Sequence, residues 1–355
     1  MSRGGLVVVV VGDSRTRTRV LSGLLADPGF VVAAEVCSAV AAEAAVVAHA
    51  PDVVLVDLAP LDGGIEAIER IMGTLATPVV VCGALVQHSR AALAAGAVDV
   101  VGALDARPTS PQYATAMRRH LQAASRVRVI THPRSRLRTQ GLSGAAGVAR
   151  RTPVLPPRSM LSPPLRAVVI GASTGGPPAL ATILADLPPD FPLPILVVQH
   201  MADGFVEGLT SWLDGLSPLP VVLARHGHRL RAGAVQVAPA GLNTLLRPGL
   251  RTELRPPVDG QFHVPGVDAA FASTAEVCGA QAIGVLLTGM GRDGAEGLRA
   301  MRDAGALTIG QDEPSSVVWG MPAAALALGA VGVELPLGSI AAALTEAVCD
   351  QRAVL

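Results

Sequence analysis

The chain has 355 residues, half of them hydrophobic, and its 28 basic residues balance 28 acidic residues to give a formal net charge of zero. This length is sufficient for two ordinary domains, and the balanced charge indicates neither a nucleic-acid binder nor a protein of membrane surfaces. The sequence contains no lysine, which excludes a Schiff-base lysine, a catalytic amine and a lysine contact to phosphate.

The N-terminal sequence contains an apolar run at residues 6–11. A run this short cannot form the core of a secretion signal or cross a membrane, so we expect a buried first strand, a cytoplasmic protein and no membrane insertion. The four cysteines are far apart and lack the spacing of a metal or redox motif, so each is expected to be a buried, reduced thiol. They are Cys37, Cys82, Cys278 and Cys349.

Five apolar runs alternate with alanine-rich helical patterns within residues 1–122. Several runs are nearly continuous valine, which is typical of parallel strands that helices cover on both faces. The sequence therefore predicts a doubly wound, flavodoxin-like α/β domain over residues 1–122. Its predicted strands are 6–11, 30–36, 52–57, 78–82 and 97–101.

Residues 123–163 differ in composition, being rich in arginine, proline, serine and glycine. No acidic residue occurs between Asp105 and Asp186, and large apolar side chains are few. Such a segment repels itself and cannot bury a core, so we predict a flexible linker. A nucleic-acid-binding arm is the alternative, which the lack of interleaved aromatic residues disfavours.

A second α/β pattern covers residues 164–355 and predicts another mainly parallel sheet with helices between its strands. Strands are predicted at 166–173, 193–200, 221–226, 234–239, 282–289 and 305–311.

Three loops of this second domain place a reactive residue type directly after a predicted strand. Ser173 lies in the glycine-rich stretch GASTGG, His200 ends the run VVQH, and Asp293 follows the run LLTGMGR. Taken singly, each has an ordinary structural interpretation: a helix N-cap serine, a polar residue at a strand end, and a loop or N-cap aspartate.

Together the three residues predict nucleophilic catalysis, because the carboxyl ends of parallel strands meet at one edge of a sheet. His200 would take the proton from Ser173, and Asp293 would fix the imidazole tautomer and stabilise its charged form. Backbone amides near Thr174 and Met290 are the predicted donors to an oxyanion.

Two other motifs share part of this pattern. The stretch GASTG fits the G-x-S-x-G nucleophile turn of α/β-hydrolases, but that fold needs a histidine after the acid, and the last histidine, His263, precedes Asp293. The same stretch is similar to a dinucleotide-binding loop, in which Ser173 would replace the central glycine and its Cβ would obstruct the pyrophosphate.

The segments VVIGASTGGPPAL, VVQHM and LLTGMGRDGAEG, with APAG, PGVDAAFAS and WGMPAAA, resemble those of the chemotaxis protein-glutamate methylesterases, the CheB family. The resemblance covers essentially the whole second domain. It implies that Ser173 is the nucleophile, His200 the general base and Asp293 the orienting acid, with Thr174 and Met290 at positions linked to oxyanion stabilisation.

The resemblance also implies a reaction. Members of the family hydrolyse glutamate methyl esters, and deamidate glutamines, on the cytoplasmic helices of chemoreceptors through an acyl-enzyme. No cofactor or metal is implied for the catalytic domain. The expected partners are a methylated chemoreceptor cytoplasmic domain and, for a receiver-type first domain, a histidine kinase; nucleic acid is not an expected partner.

The first domain resembles a response-regulator receiver in architecture but departs from it at the residues that handle phosphate. A receiver uses an acidic pair, an aspartate, a hydroxyl and a lysine, and its carboxylates hold Mg²⁺. Here Gly12 stands at the first acidic position, so Asp13 is the one remaining acid of the pair. Asp57 is the phosphorylation candidate. Gly83 occupies the hydroxyl position and Ala103 the lysine position. We predict a degenerate receiver, in which Mg²⁺ has a role only if Asp57 is phosphorylated.

Two other functions stay open from the sequence. One is an esterase or amidase that acts on a protein outside chemotaxis, and the other is a non-catalytic signalling or docking module. The presence of Ser173, His200 and Asp293 favours a hydrolase, whereas the eroded receiver is the feature that points to a docking module.

Overall fold

A computed structural model describes the chain over residues 5–12, 23, 25–58, 63–83, 86–101, 111–125, 164–201, 205–258, 261 and 263–352. The chain forms two compact units, Met1–Gly147 and Val148–Leu355. This division falls within the predicted linker, of which residues 126–163 lie outside the described residues. The predicted domain limits therefore stay a prediction.

The N-terminal unit contains a parallel sheet. Its strands are β1 Leu6–Val11, β2 Phe30–Val36, β3 Val53–Asp57, β4 Val79–Cys82 and β5 Asp99–Val100. The helices that the structure describes in this unit are α1 Ala39–His49, α2 Gly64–Thr74, α3 Val86–Ala95 and α4 Pro111–Ala124. The strand order β2-β1-β3-β4-β5, with every neighbouring pair parallel, is the flavodoxin-like order that the valine runs predict.

Valine and leucine side chains of β1 and β3 form the centre of this unit. Val8, Val10 and Leu55 are fully buried and pack in one cluster with Met117 and Leu121 of α4. The neighbouring residues of the same strands are buried as well, so each strand is covered on both faces. This burial explains why these strands read as continuous apolar runs rather than as an alternating pattern.

The C-terminal unit holds a larger sheet and a separate hairpin. The sheet strands are β6 Ala167–Ala172, β7 Ile195–Gln199, β8 Val221–Leu223, β9 Val235–Val237, β12 Ala282–Leu286, β13 Leu307–Gln311 and β14 Val333–Leu335, and the hairpin is β10 Asn243–Arg247 with β11 Arg251–Arg255. The helices are α5 Gly176–Asp186, α6 Val206–Asp214, α7 Val267–Cys278, α8 Ala295–Asp303, α9 Met321–Ala327 and α10 Leu337–Arg352.

The seven-stranded sheet is parallel and has the order β14-β13-β12-β6-β7-β9-β8. Strands β7, β8 and β9, which follow β6 in the chain, lie on one side of it. The later strands β12, β13 and β14 lie on its other side. Crevices that bind ligands form at such a reversal of strand order, outside the carboxyl ends of the strands. The loops after β6, β7 and β12 therefore share one edge of the sheet.

Helices cover both faces of this sheet. Helices α7, α8 and α9 pack together with β6 and β12 on one face, and α5 packs against α10. Phe271, Leu286 and Leu298 are fully buried between α7, β12 and α8. This packing fixes the N-termini of α7 and α8 beside the carboxyl ends of the central strands.

The β10–β11 hairpin and strand β14 are absent from the sequence-based prediction. Strand β10 begins with two buried polar residues, and β11 mixes exposed arginines with a buried threonine, so neither strand is a long apolar run. The sequence feature that could have indicated a hairpin is the glycine of the connecting loop, Gly249, which has a φ of 78°. The hairpin packs on α7 through a hydrogen bond from the Leu246 N–H to Ser273 Oγ (3.0 Å).

The cysteine prediction is half wrong. Cys82 and Cys278 are buried, but Cys37 and Cys349 are exposed. The two exposed cysteines lie near or within helices on the outside of the core, where a small thiol tolerates solvent. Among the described residues, no helix combines the length and the apolar character needed to cross a membrane.

Candidate active site

Ser173 follows β6 in a turn that leads into α5. Its N–H donates to Thr288 O (3.0 Å) in the loop after β12, and its carbonyl accepts from Gly176 N (2.8 Å). Gly175 has a φ of 77°, a left-handed conformation that side chains with a Cβ resist, and it lets the chain reverse into the helix. Ser173 is half-buried and lies at the N-terminal end of α5, as the sequence predicts.

The loop after β12 approaches Ser173 closely. A Cβ on Gly289 would lie 2.8 Å from Ser173 Cβ and would also collide with the sulfur of Met321. Only glycine fits between these groups, so the second glycine-rich loop can lie against the serine.

His200 follows β7, next to β6. Its N–H donates to Ala172 O (3.0 Å), and the Gln199 side-chain amide donates to the carbonyls of both Ser173 (2.8 Å) and His200 (2.9 Å). The main chains that carry the serine and the histidine are thereby joined at the sheet edge.

The His200 ring pairs with Asp293. The distance from His200 Nε2 to Asp293 Oδ2 is 2.7 Å, and the two side chains are only 10% and 12% exposed. His200 Nδ1 is buried and makes no hydrogen bond to the part of the chain that the structure describes. Likewise, no hydrogen bond of Ser173 Oγ is found within the described residues, so the Ser173–His200 contact of the predicted triad stays a prediction.

The Asp293 carboxylate receives three backbone donors in addition to the imidazole. Oδ2 accepts from Val267 N (2.7 Å), and Oδ1 accepts from Asp268 N (3.0 Å) and Gly294 N (3.1 Å). Val267 and Asp268 begin α7, whose first N–H groups have no partner inside the helix and favour a negative charge.

Opposing effects act on the ionisation of Asp293. Burial raises the pKa of its carboxyl, but the hydrogen bond and charge of His200 and the backbone donors from α7 outweigh burial and lower the pKa to about 2. Asp293 is therefore ionised across the physiological range and can stabilise an imidazolium.

A second carboxylate, that of Asp268, links α7 to α8. Asp268, in the first turn of α7, accepts from Gly297 N of α8 (2.7 Å). Burial raises the pKa of Asp268 to about 6, the Gly297 hydrogen bond opposes that rise, and the Asp293 charge adds to it. Asp293, in the loop that leads into α8, thus caps the N-terminus of α7, and Asp268 of α7 caps the N-terminus of α8.

Thr288 is a supporting residue that the sequence-based reasoning missed. It is fully buried; its Oγ1 donates to Thr174 O (3.0 Å) and accepts from Val318 N (2.9 Å). Its own N–H donates to Gln311 Oε1 (2.8 Å). Nothing in a threonine within the run LLTG distinguishes this role from an ordinary strand-end residue.

His263 is the second residue that the sequence-based reasoning gave no role. Its ring stacks on the His200 ring with a centroid separation of 4.6 Å and an interplanar angle of 3°. His263 lies well before Asp293 in the chain and follows none of the sheet strands directly, so strand-end reasoning passed over it.

Thr174 directly follows Ser173, and Met290 follows Gly289, which lies against Ser173. Thr174 is buried and Met290 is half-buried. The N–H groups of both residues make no hydrogen bond to the described part of the chain, so they are available to a ligand. Their assignment as oxyanion donors stays a prediction.

The phosphate-handling positions of the N-terminal unit are only partly described. Asp57 is buried at the end of β3, and Gly12 and Gly83 follow β1 and β4. Asp13 and Ala103 lie outside the described residues. The described strand ends do not supply the ligands of a magnesium site beyond Asp57, and no metal-binding group of three or more His, Cys, Asp or Glu side chains occurs where the structure is described.

Comparison with known proteins identifies the family of this chain. A family model described as CheB methylesterase matches residues 168–344, which include all three predicted triad residues. The chain is 44% identical, over 96% of each chain, to "Protein-glutamate methylesterase/protein-glutamine glutaminase 2" of Anaeromyxobacter dehalogenans. It is 42% identical to "Protein-glutamate methylesterase FrzG" of Myxococcus xanthus, over 85% of this chain and 86% of that one.

Among solved structures, the catalytic domain of the Thermotoga maritima CheB methylesterase is 37% identical with a TM-score of 0.49, over 51% of this chain and 98% of that one. The two parallel sheets and the relatives together define a two-unit hydrolase with a receiver-type N-terminal fold. More specifically, the chain belongs to the CheB methylesterase family.

Proposed function

We propose that this protein hydrolyses glutamate methyl esters, and deamidates glutamines, with Ser173 as nucleophile, His200 as base and Asp293 as the acid that orients it. One observation carries the proposal. His200 Nε2 is held by Asp293 at 2.7 Å, and the other ring nitrogen, Nδ1, is buried without a partner in the described chain. The His200 main chain is bonded to Ala172, the residue before Ser173. The names of the relatives support both activities.

The ionised carboxylate of Asp293 determines the tautomer of His200. Because Asp293 accepts at Nε2, that nitrogen carries the proton in the neutral ring, and Nδ1 keeps its lone pair. Nδ1 is therefore the nitrogen that can take the proton of Ser173. This is the reverse of the serine-protease arrangement, in which Nδ1 contacts the aspartate.

Acylation follows from this arrangement. Ser173 Oγ bonds to the ester carbonyl carbon while its proton passes to His200 Nδ1, and Asp293 stabilises the imidazolium. The N–H groups of Thr174 and Met290, which have no partner in the described chain, donate to the carbonyl oxygen as it becomes negative. The bond to the methoxy oxygen then breaks, and methanol leaves with the proton from Nδ1.

Deacylation repeats the sequence with water as the nucleophile. Water gives a proton to Nδ1 and attacks the acyl carbon, and the serine leaves with that proton. The product is a glutamic acid side chain, which then releases its own proton to solvent and becomes the carboxylate. With a glutamine side chain, ammonia leaves in the first half-reaction in place of methanol, and the acyl-enzyme is the same.

The substrate is a methylated chemoreceptor cytoplasmic domain, which places the protein in the cytoplasm. The receptor side chain belongs to another macromolecule, so an edge-of-sheet site with a half-buried serine suits it better than a closed cavity would. No cofactor is required by the reaction as written.

The N-terminal unit acts as a degenerate receiver. Gly12 and Gly83 stand where a receiver carries an acid and a hydroxyl, and the chain has no lysine. Without that cation and hydroxyl, phosphate on Asp57 would lack the contacts that hold it. A histidine kinase is accordingly not expected to activate the enzyme through Asp57.

Methanol release from a methylated receptor cytoplasmic fragment tests the proposal. The wild type should release methanol, and Ser173→Ala should lower the rate by about 10⁴-fold or more. Ser339→Ala, on the outer helix α10, should leave the rate unchanged. A folded wild-type protein that releases no methanol and no ammonia from receptor fragments, and whose Ser173 does not react with a fluorophosphonate, would indicate the docking-module alternative. Reaction of Ser173 without either release would indicate an esterase or amidase with another target.

A further inference from the structure

The face of the His200 ring is covered by a second imidazole. The rings of His200 and His263 are parallel within 3° at 4.6 Å, a separation at which aromatic rings stack in contact. His200 is almost fully buried, whereas His263 is exposed on its outer side. His263 therefore separates one face of His200 from solvent.

This stack controls a motion that the Asp293 hydrogen bond leaves open. A single bond at Nε2 fixes one point of the ring, but the ring can still tilt about that point and change the direction of Nδ1. A parallel ring in contact with its face opposes the tilt. The direction of Nδ1 towards the Ser173 loop then depends on both contacts, at the edge and at the face.

The loop that carries His263 is itself held firmly. The Gln261 amide donates to His263 O (2.8 Å) and to Asn243 Oδ1 (2.9 Å), and Asn243 Oδ1 also accepts from Gly266 N (2.8 Å). Asn243 Nδ2 donates back to Gln261 Oε1 (2.7 Å). Asn243 begins the hairpin strand β10, so the hairpin anchors this loop.

The same segment continues into α7, whose first N–H groups hold Asp293. Val267 N and Asp268 N donate to the two carboxylate oxygens. One short stretch, 261–268, therefore supports the acid at its oxygens and the base at its ring face.

The charge of His263 is compatible with this role. Burial of its inner face lowers the pKa of His263, the neighbouring His200 lowers it further, and Asp293 opposes both effects. A neutral ring in the stack can face the imidazolium that forms during turnover, because its π-face attracts a cation.

We propose that His263 is a positioning residue, whose ring stacks on His200 and directs Nδ1 towards Ser173. This inference rests on the proposed function, because it assigns His200 as the base. The stack, and not the polar chemistry of an imidazole, is the property that matters, so another flat aromatic ring should substitute for it.

Labelling of Ser173 by a fluorophosphonate probe tests the inference without a receptor. His263→Ala and His263→Gln remove the ring and should slow labelling by about tenfold or more, as misplacement of a catalytic group does. His263→Phe keeps a stacking ring and should label within about threefold of the wild-type rate. His228→Ala, an exposed histidine of the same unit, is the matched control and should label like the wild type.

On the methylated receptor fragment, the ring-deleting variants should lose kcat with an unchanged KM, and His263→Phe should restore kcat. The inference is overturned if folded His263→Gln labels at the wild-type rate, or if His263→Phe is as slow as His263→Gln. Wild-type protein that is labelled at Ser173 but releases no methanol would contradict the proposed substrate and leave the role of His263 unaffected. Wild-type protein that is not labelled at Ser173 overturns the proposed function and this inference together.

Discussion

At the scale of single residues, the Asp293 carboxylate controls the charge of the site because four donors converge on it: three backbone N–H groups and the His200 imidazole. Backbone donors cannot move away when a neighbouring side chain is replaced. The carboxylate is consequently held in place and kept ionised before any substrate binds, which is the preorganisation that electrostatic catalysis requires.

Asp293→Asn should leave the fold intact and remove most of the activity. With its oxygen at the Oδ1 position, the asparagine can still accept from Asp268 N of α7. Its NH₂ group would then face Val267 N and His200 Nε2 and force the ring proton onto Nδ1. We expect methanol release to fall by about 10³- to 10⁴-fold, as loss of the correct tautomer does in serine proteases. Asp303→Asn, in an exposed ion pair with Arg299 at the end of α8, is the control and should match the wild type.

The raised pKa of Asp268 predicts how the free energy of unfolding depends on pH. Its pKa is about 6 in the folded chain and 3.8 in the unfolded chain, so the folded chain binds the proton more tightly. Between these two values, the free energy of unfolding falls as the pH rises, and above pH 6 the ionised carboxylate costs stability. Asp268→Asn removes this cost and keeps an oxygen acceptor for Gly297.

Urea unfolding at several pH values measures the effect. Asp268→Asn should be more stable than the wild type at pH 7.5, by on the order of 1 kcal/mol, and the difference should vanish near pH 4. Asp293, with a pKa of about 2, titrates below this window and does not produce the same trend. A variant that is less stable than the wild type by a constant amount at every pH would contradict this assignment.

At the scale of secondary structure elements, the site depends on the close packing of α7 and α8. A Cβ on Gly297 would lie 2.6 Å from Asp268 O and 2.7 Å from Phe271 Cβ. The two helix N-termini can exchange carboxylate caps only because this position has no side chain.

Gly297→Ala should therefore destabilise the protein although alanine favours helices. We expect a loss of about 1–3 kcal/mol, as overpacking causes, with a lower thermal midpoint and reduced methanol release. Gly338→Ala in α10, where nothing lies within 4 Å of the new methyl group, should be neutral or stabilising. If both variants have the same midpoint, the two helices can separate without cost.

The same elements explain what the sequence could and could not predict. Strands β1, β3, β6 and β12 were predictable because burial on both faces requires unbroken apolar runs. Ser173, His200 and Asp293 could be proposed because parallel strands end at one edge. The residues that contact these three could not be predicted. The roles of Thr288 and His263 arise from contacts between segments distant in sequence, and such contacts leave no local pattern.

At the scale of the whole molecule, the chain joins a hydrolase unit that carries Ser173, His200 and Asp293 to an N-terminal unit with the flavodoxin-like strand order. Gly83, at the end of β4, has no side chain that could contact a phosphoryl oxygen, and the sequence has no lysine to neutralise one. The activity of this enzyme should then be independent of phosphorylation of Asp57.

Incubation with Mg²⁺ and acetyl phosphate tests this expectation on the full chain. We expect neither stoichiometric modification of Asp57 nor a change in the rate of methanol release, because a phosphoryl group there would lack its cation and hydroxyl contacts. Asp57→Asn should match the wild type in the same assay, with and without acetyl phosphate. Intact-mass detection of one phosphoryl group per chain, together with a faster wild-type rate that Asp57→Asn abolishes, would establish an active receiver instead.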